Sequence, residues 1–155
     1  MRKGLHLYIS EHYNSIIVTP LLINKAGIYY ESEQSRTMKL WPTPDELGLA
    51  IKESLEASIE VDINLRDRKS TDWPSFKQSK LKTVKEFESK YSLILILASN
   101  EANNSYDARM VPQNDEELSI HISINPVPAR LAKVGERIQK LYTQTKLFSS
   151  TIIKI

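Results

Sequence analysis

The chain has 155 residues, the usual length of one domain, and its formal net charge at pH 7 is +2. Hydrophobic residues make up 41% and charged residues 26%, which is typical of a soluble globular protein. No cysteine is present, so disulfides, thiolate metal sites and cysteine nucleophiles are excluded. The apolar run in residues 1–10 is too short for a signal peptide. No segment approaches the ~20 consecutive apolar residues of a membrane span. We therefore expect a single domain over residues 1–155 and a cytoplasmic location.

The charges occur in blocks whose sign alternates along the chain. The net charge is +2 over residues 1–30, −5 over 31–65, +4 over 66–90, −4 over 91–125 and +5 over 126–155. Such blocks form either opposed charged surfaces or ordinary solvated faces of separate elements. The small net charge therefore does not identify a partner.

The first thirty residues predict an antiparallel meander of three strands. Residues 5–10 alternate apolar and polar side chains, residues 15–22 are rich in β-branched residues, and a short strand over 28–30 follows Gly27. Pro20 lacks the amide hydrogen that a central ladder needs, so it predicts a sheet edge or a strand end.

A helix is predicted to begin after Thr43. Thr43 and Glu46 match a capping box, and Pro44 suits the first helical position. Apolar and small residues then recur every three to four positions, which predicts one buried face. That face consists of Leu47, Ala50, Ile51, Ser54, Leu55 and Ser58.

Gly48 lies inside this helix, and Gly135 lies at a matching position in a helix predicted near the C-terminus. A glycine in a helix interior costs ~1 kcal/mol relative to alanine, so two of them suggest a shared reason. We expect each glycine to let its helix approach the sheet where a Cβ would clash. A phosphate-binding loop, the functional alternative, needs several neighbouring glycines that neither position has.

The rest of the chain predicts further strands and two more helices. Alternating or apolar runs predict strands over residues 59–65, 91–98, 108–111 and 118–124. Composition predicts a packed turn at Trp73-Pro74, a loop over 100–107, an acidic turn over 113–117 and no defined element for the tail 147–155.

The helices complete the predicted architecture. A short helix starts near Thr83, and a longer one follows Pro128. The order of elements predicts an α+β domain, a mostly antiparallel β-sheet with two longer helices and one short helix packed on one face of it. The predicted buried faces are Val84, Phe87 and Tyr91 in the short helix, and Leu131, Val134, Ile138 and Leu141 in the last one.

No catalytic or metal-binding motif stands out. The histidines are His6, His12 and His121, and their spacing fits no known set of metal ligands. His6 and His121 are expected to face solvent from strands. The chain contains no Gly-x-Ser-x-Gly, HExxH, P-loop or GxGxxG pattern. A small enzyme would need a pocket in which one of the histidines or a carboxylate has a perturbed pKa.

A nucleic-acid-binding module is an alternative. Eight basic residues lie between Arg66 and Lys90, interleaved with Trp73, Phe76 and Phe87. Basic grooves with exposed aromatic side chains bind single strands. The same aromatic residues also fit a packed turn and the buried face of a helix, which is the competing interpretation.

Four segments, in this order, resemble the immunity proteins of contact-dependent growth inhibition (the CdiI family). They are PTPDELGLAIKESLEAS, DWPSFKQSKLKTVKEFESKY, NEAN and VGERI, which together span roughly residues 40–140. The resemblance implies a bacterial cytoplasmic protein that binds the C-terminal toxin domain of a cognate CdiA effector and occludes its active site. It also implies that the toxin is often a nuclease, and that the immunity protein is not an enzyme and needs no cofactor.

Acidic residues are the predicted contacts if this resemblance holds. Nuclease active sites are electropositive because they hold phosphates, so an inhibitor can offer carboxylates in their place. The PTPDELG segment would then belong to the scaffold, and Tyr106 would add an aromatic anchor. The predicted partner-binding residues are Glu53, Glu56, Glu60, Asp62, Tyr106, Asp107, Asp115, Glu116 and Glu117.

Overall fold

Eight strands and four helices are present in the computed structural model, which describes residues 3–62, 72–100, 105–111, 121–124 and 131–153. This α+β architecture is the predicted one. The elements in chain order are β1 (Lys3–Ser10), β2 (Ser15–Asn24), β3 (Tyr29–Glu31), β4 (Arg36–Lys39), α1 (Pro44–Ala57), β5 (Ile59–Val61), α2 (Pro74–Ser79), α3 (Val84–Lys90), β6 (Ser92–Asn100), β7 (Ser105–Met110), β8 (His121–Ile124) and α4 (Leu131–Ile153).

The strands form one mostly antiparallel sheet in the order β3-β2-β1-β6-β7-β8. Strands β4 and β5 also pair with β2, and β5 is the strand that runs parallel to its neighbour. The predicted meander of β1, β2 and β3 is confirmed. Strand β6 lies between β1 and β7, as its apolar sequence predicted.

Strand β2 continues through Pro20. Of the two alternatives predicted for Pro20, a sheet edge or a strand end, the strand end is therefore wrong. Along one edge, β2 pairs with β4 up to Val18 and with β3 from Leu21. Pro20 lies in the gap between these two partners, where its carbonyl accepts a hydrogen bond from the Ser32 amide at 2.8 Å. The missing amide hydrogen of proline therefore costs no strand-to-strand bond.

Ser58 lies between β1 and β2 at the point where the two strands diverge. Its Oγ accepts a hydrogen bond from the Gly4 amide at 3.0 Å and donates one to the Leu21 carbonyl at 2.7 Å. Beyond this point β5 takes the place of β1 beside β2, starting at the pair of Leu22 with Ile59. The buried hydroxyl thus joins the end of α1 to the sheet and positions β5.

We expect Ser58→Ala to destabilise the protein by about 2 kcal/mol, because it leaves a buried amide and a buried carbonyl without this partner. Urea unfolding of the variant and the wild type measures the difference. Ser89→Ala is the control, since Ser89 is exposed on α3 and its change should stay within about 0.5 kcal/mol. Equal losses in the two variants would contradict a structural role for Ser58.

Helices cover both faces of the sheet, so the prediction that they pack on one face is wrong. On the first face, α1 and α4 cover the even-numbered residues of β2 and β6, such as Ile16 and Ile94. On the second face, Phe76 of α2 and Phe87 of α3 pack against Ile17. The central strands are apolar at both parities, and such strands need cover on both sides.

Each of the two helix glycines faces the backbone of the other helix rather than the sheet. A Cβ on Gly48 would overlap the carbonyl oxygen of Leu131, and a Cβ on Gly135 would overlap the carbonyl oxygen of Pro44. These contacts place α1 and α4 antiparallel at their crossing. The predicted packing role is therefore confirmed, but the close partner is the other helix.

The predicted helices are present, with one addition. Helix α1 has the capping box of Thr43 and Glu46, and Thr83 caps α3. Helix α2 occupies the segment where a packed turn was predicted, and α4 extends through the tail to Ile153. No helix in the described ranges is both long and apolar enough to cross a membrane.

The strands differ from prediction in three places. Strand β4 has no clear apolar pattern and was not predicted. The predicted loop over 100–107 is shorter, because β6 reaches Asn100 and β7 begins at Ser105. In strand β5, Ile59 has the alternating position of an apolar strand face, yet this residue is 50% exposed. The predicted strand segments beyond Asp62 and the acidic turn over 113–117 lie outside the described residues.

Candidate protein-binding surface

Helix α1 and strand β5 bring four of the predicted acidic residues to one end of the sheet. Glu53 and Glu56 are exposed on α1. The helix ends at Ala57, and the chain enters β5 directly, so Glu60 and Asp62 follow within a few residues. All four carboxylates are exposed, as an interaction with a partner requires.

Basic side chains lie beside three of these carboxylates. Glu53 accepts a hydrogen bond from Arg36 of β4 at 2.9 Å, and Lys52 lies 3.9 Å from Glu56. Lys25 lies 3.7 Å from Asp62. Exposed pairs of this kind contribute about 0–1 kcal/mol each, so a partner's cation can replace the lysine or arginine at low cost.

Tyr106 and Asp107 point to opposite faces of the sheet because they are neighbours on β7. Tyr106 is half-buried and packs against the first-face core below α1. Burial, and then the nearby charge of Glu56, raises the pKa of the Tyr106 hydroxyl. The structure therefore brings Tyr106 close to Glu56 and separates Asp107 from both. Asp115, Glu116 and Glu117 lie outside the described residues.

Glu60 also points away from the α1 face. It is in register with Ile23 of β2, whose side chain lies in the second-face core. Glu53 and Glu56 stand on the helix that covers the first face. The acidic residues of α1 and β5 therefore lie at one end of the sheet, with Glu53 and Glu56 on the side of the first face and Glu60 on the side of the second.

A buried polar cluster that the sequence did not predict joins β1, β3 and α2. Glu31 of β3 is 5% exposed and accepts hydrogen bonds from Tyr8 at 2.8 Å and from the Ser75 amide at 3.0 Å. His6 Nδ1 lies 2.7 Å from the same carboxylate, to which it must donate because an ionised carboxylate only accepts. The Ser75 hydroxyl in turn lies 2.6 Å from that of Thr19.

The hydrogen bonds of this cluster keep the buried carboxylate ionised. Burial alone would raise the pKa of Glu31, but the hydrogen bonds from His6, Tyr8 and Ser75 and the charge of His6 lower it overall. Burial, followed by the charge of Glu31, raises the pKa of Tyr8. The carboxylate accepts these hydrogen bonds from groups of β1 and α2, so the cluster joins β3 to β1 and holds α2 on the sheet.

His6 corrects the prediction of a solvent-facing histidine. Its side chain is 22% exposed and paired with Glu31. The misleading signal was its polar position in an alternating strand, which indicates the second face but not what covers that face. His12 is exposed and lies edge-to-face on Tyr13, with ring centroids 4.6 Å apart. Among the described residues no three His, Cys, Asp or Glu side chains are grouped to hold a metal.

The described part of the basic segment uses its aromatic side chains for packing. Phe76 and Phe87 are buried in the second-face core, and Trp73 packs against it. Nucleic-acid bases stack on exposed rings, so these two phenylalanines are not available for it. This placement removes Phe76 and Phe87 from the aromatic side chains that the nucleic-acid-binding alternative could use.

Two solved structures share this fold. The chain is similar to a protein of unknown function, NMB0488 from Neisseria meningitidis, with a TM-score of 0.65, 10% identity, and coverage of 93% of this chain and 95% of that one. It is also similar to a chain of the CdiA-CT/CdiI toxin and immunity complex from Yersinia pseudotuberculosis, with a TM-score of 0.66, 9% identity, and coverage of 92% and 97%. No protein-family model and no curated protein sequence matches the chain. At these identities the similarity establishes the fold.

Proposed function

We propose that the protein is an immunity protein that binds and neutralises the C-terminal toxin domain of a contact-dependent growth inhibition effector. The carrying observation is the fold, which matches a chain of a toxin and immunity complex over nearly the full length of both. The four sequence segments between residues 40 and 140 resemble immunity proteins in their order along the chain, and this resemblance independently favours the immunity partner over the toxin. On this proposal the chain acts in the cytoplasm, is not an enzyme and uses no cofactor.

The proposed mechanism is occlusion of the toxin's active site by a surface that includes carboxylates. A nuclease site presents lysine, arginine or metal ions to phosphates, and these groups also attract carboxylates. Glu53, Glu56 and Asp62 are exposed at one end of the sheet, and each takes part in an exposed ion pair. Charge complementarity of this kind mainly accelerates association and selects the partner.

On this proposal a gene beside that of this chain encodes a large secreted effector, and calorimetry with the C-terminal domain of that effector tests the proposal. We expect saturable binding with a Kd of about 1 μM or tighter. Absence of binding to that domain would overturn the proposal. RNA binding that weakens steeply with salt, with no protein partner, would instead support a nucleic-acid-binding module.

Reversing two charges on α1 tests the proposed role of the acidic residues. We expect the double variant Glu53→Lys, Glu56→Lys to bind the toxin domain about tenfold or more weakly, chiefly through slower association. Its free energy of unfolding should change by less than about 1 kcal/mol, because both pairs are exposed. Stopped-flow association and urea unfolding measure the two quantities.

Glu88→Lys on α3 is the matched control, since Glu88 is exposed on the other side of the sheet. Equal association rates for the double variant and the control would remove α1 from the proposed surface.

Asp107 and the segment with Asp115, Glu116 and Glu117 form a separate part of the proposal. Unchanged affinity after reversal of residues 115–117 to lysine would remove that segment.

A further inference from the structure

The far end of β2 forms a three-stranded platform with β3 and β5. Leu22 is in register with Tyr30 of β3 on one edge and with Ile59 of β5 on the other. Asn24 is in register with Val61, and on the other edge its amide donates to the carbonyl of Ile28 at 3.0 Å. Residues in register share a face, so these side chains form two adjacent rows.

The two rows lie on the first face of the sheet. Leu21 and Ile23 of β2 and Tyr29 of β3 belong to the second-face core. Side chains alternate along a strand, so Leu22, Tyr30 and their partners point the opposite way. This is the face that α1 and α4 cover elsewhere.

Neither helix covers the platform fully. Helix α1 ends at Ala57, immediately before β5, and the α1–α4 crossing lies at the opposite end of α1, at Gly48. Ile59 is 50% exposed and Ile28 is 41% exposed, and both lie on this face, so they form part of one apolar patch rather than isolated exposed residues. We call this surface the β2 platform. Leu22, Tyr30 and Val61 are partly exposed, and together with the exposed Ile28 and Ile59 they are the five apolar residues that define it.

We propose that the β2 platform is the apolar centre of the toxin-binding surface, and that it receives apolar side chains of the toxin domain flanked by lysine or arginine. This inference rests on the proposed function. Glu56 at the end of α1 and Asp62 after Val61 border the platform, and strong interfaces combine an apolar centre with a polar rim. Tyrosine, here Tyr30, is among the side chains enriched in such centres.

The charges at the rim favour a basic partner over a second copy of this chain. A symmetric dimer brings the same surface of both copies together, so the acidic rim of residues 53–62 would face a second rim of the same composition. Like charges placed opposite each other in an interface oppose association. A toxin domain with a basic active site has no such penalty.

Ile59→Asp tests the platform sharply because it adds negative charge to an already acidic surface. Charge complementarity alone would keep or strengthen binding to a basic partner, whereas an apolar centre predicts a loss of about 30-fold or more in affinity. Tyr30→Ala should cost about tenfold or more. Ile28→Asp is a second charged variant, placed just before β3, in case Ile59→Asp fails to fold.

Leu147→Asp is the matched control, since Leu147 is 64% exposed on α4. Leu147 lies on α4 about one turn and a half after Tyr142. Burial and then the nearby charge of Glu11 raise the pKa of Tyr142 to about 12, and Glu11 follows β1 at the end away from the platform. The control is therefore distant from the platform. We expect this control to bind the effector's C-terminal domain within about twofold of the wild type.

The outcomes separate the two proposals. Wild-type binding with selective loss in the platform variants would support the inference. Wild-type binding with equal affinity in the platform variants would overturn the platform and leave the immunity function standing. No wild-type binding to the effector domain would overturn the immunity function itself. A concentration-dependent dimer in sedimentation, lost with Ile59→Asp, would overturn the inference by identifying a second copy as the occupant.

Discussion

Replacing Gly48 or Gly135 by alanine will destabilise the protein by about 2 kcal/mol or more, although alanine is the better helix former. In an isolated helix the change would gain ~1 kcal/mol. Here the added Cβ would overlap a backbone carbonyl, of Leu131 in one case and of Pro44 in the other. A backbone cannot rotate away as a side chain can, so the two helices must move apart, and overpacking of this kind costs about 1–3 kcal/mol before any lost contacts.

Urea unfolding of both glycine variants measures this effect. Lys140→Ala is the control, because Lys140 is exposed on α4 and its change should stay within about 0.5 kcal/mol. The double variant should cost less than the sum of the two single ones, since one separation of the helices relieves both overlaps. A stabilised Gly48→Ala would show that α1 and α4 do not cross this closely.

Glu31→Gln should destabilise the protein by about 3 kcal/mol at pH 7. The carboxylate is buried and accepts hydrogen bonds from Tyr8, His6 and the Ser75 amide. Removing one partner of a buried charged pair leaves the remaining groups poorly satisfied. Glu33→Gln is the control, because Glu33 is exposed two residues away and should change the free energy of unfolding by less than about 0.5 kcal/mol.

The acid limb of the stability curve provides a second signature of Glu31. Its pKa in the folded protein is lowered from the ordinary value of 4.5. A lowered folded-state pKa contributes stability that is complete above the unfolded-state pKa and is lost as the pH falls through the folded-state pKa. The wild type should therefore lose stability below about pH 4.5, and Glu31→Gln should lose less.

Measurements of unfolding free energy between pH 7 and pH 3 compare the two curves. Glu33→Gln should keep the wild-type slope in this range. Parallel curves for Glu31→Gln and the wild type would show that the buried carboxylate is not stabilised in its ionised form.

Local signals predicted much of the fold. The capping residues Thr43 and Thr83 mark the starts of α1 and α3 correctly, because a cap acts within one turn of the chain. The alternating residues of β1 and the apolar run of β6 predicted their places in the sheet. Each of these features depends on neighbouring residues alone.

Long-range contacts account for what the sequence did not predict. Strand β4 has a weak pattern of its own and is held by pairing with β2. Gly48 is explained by Leu131, which is distant in sequence, and Glu31 is buried because α2 covers it. Such features require the tertiary arrangement, so a local pattern cannot reveal them.

The candidate surface was predicted only in part, because it also depends on the tertiary arrangement. Exposure of Glu53, Glu56, Glu60 and Asp62 follows from their positions on a helix and a strand, and is confirmed. Their division between two sides of the sheet follows from the register of β5 with β2. The exposure of Ile59 could not be predicted from the alternation of β5, because it depends on α1 ending at Ala57.

Neutralisation of the toxin domain in living cells tests the central claim most directly. Bacteria would produce the C-terminal domain of the neighbouring effector, alone or together with this chain. The immunity function predicts growth arrest with the toxin domain alone and restored growth when this chain is also produced. Persistent growth arrest, with both proteins present at comparable amounts and this chain folded, would contradict it.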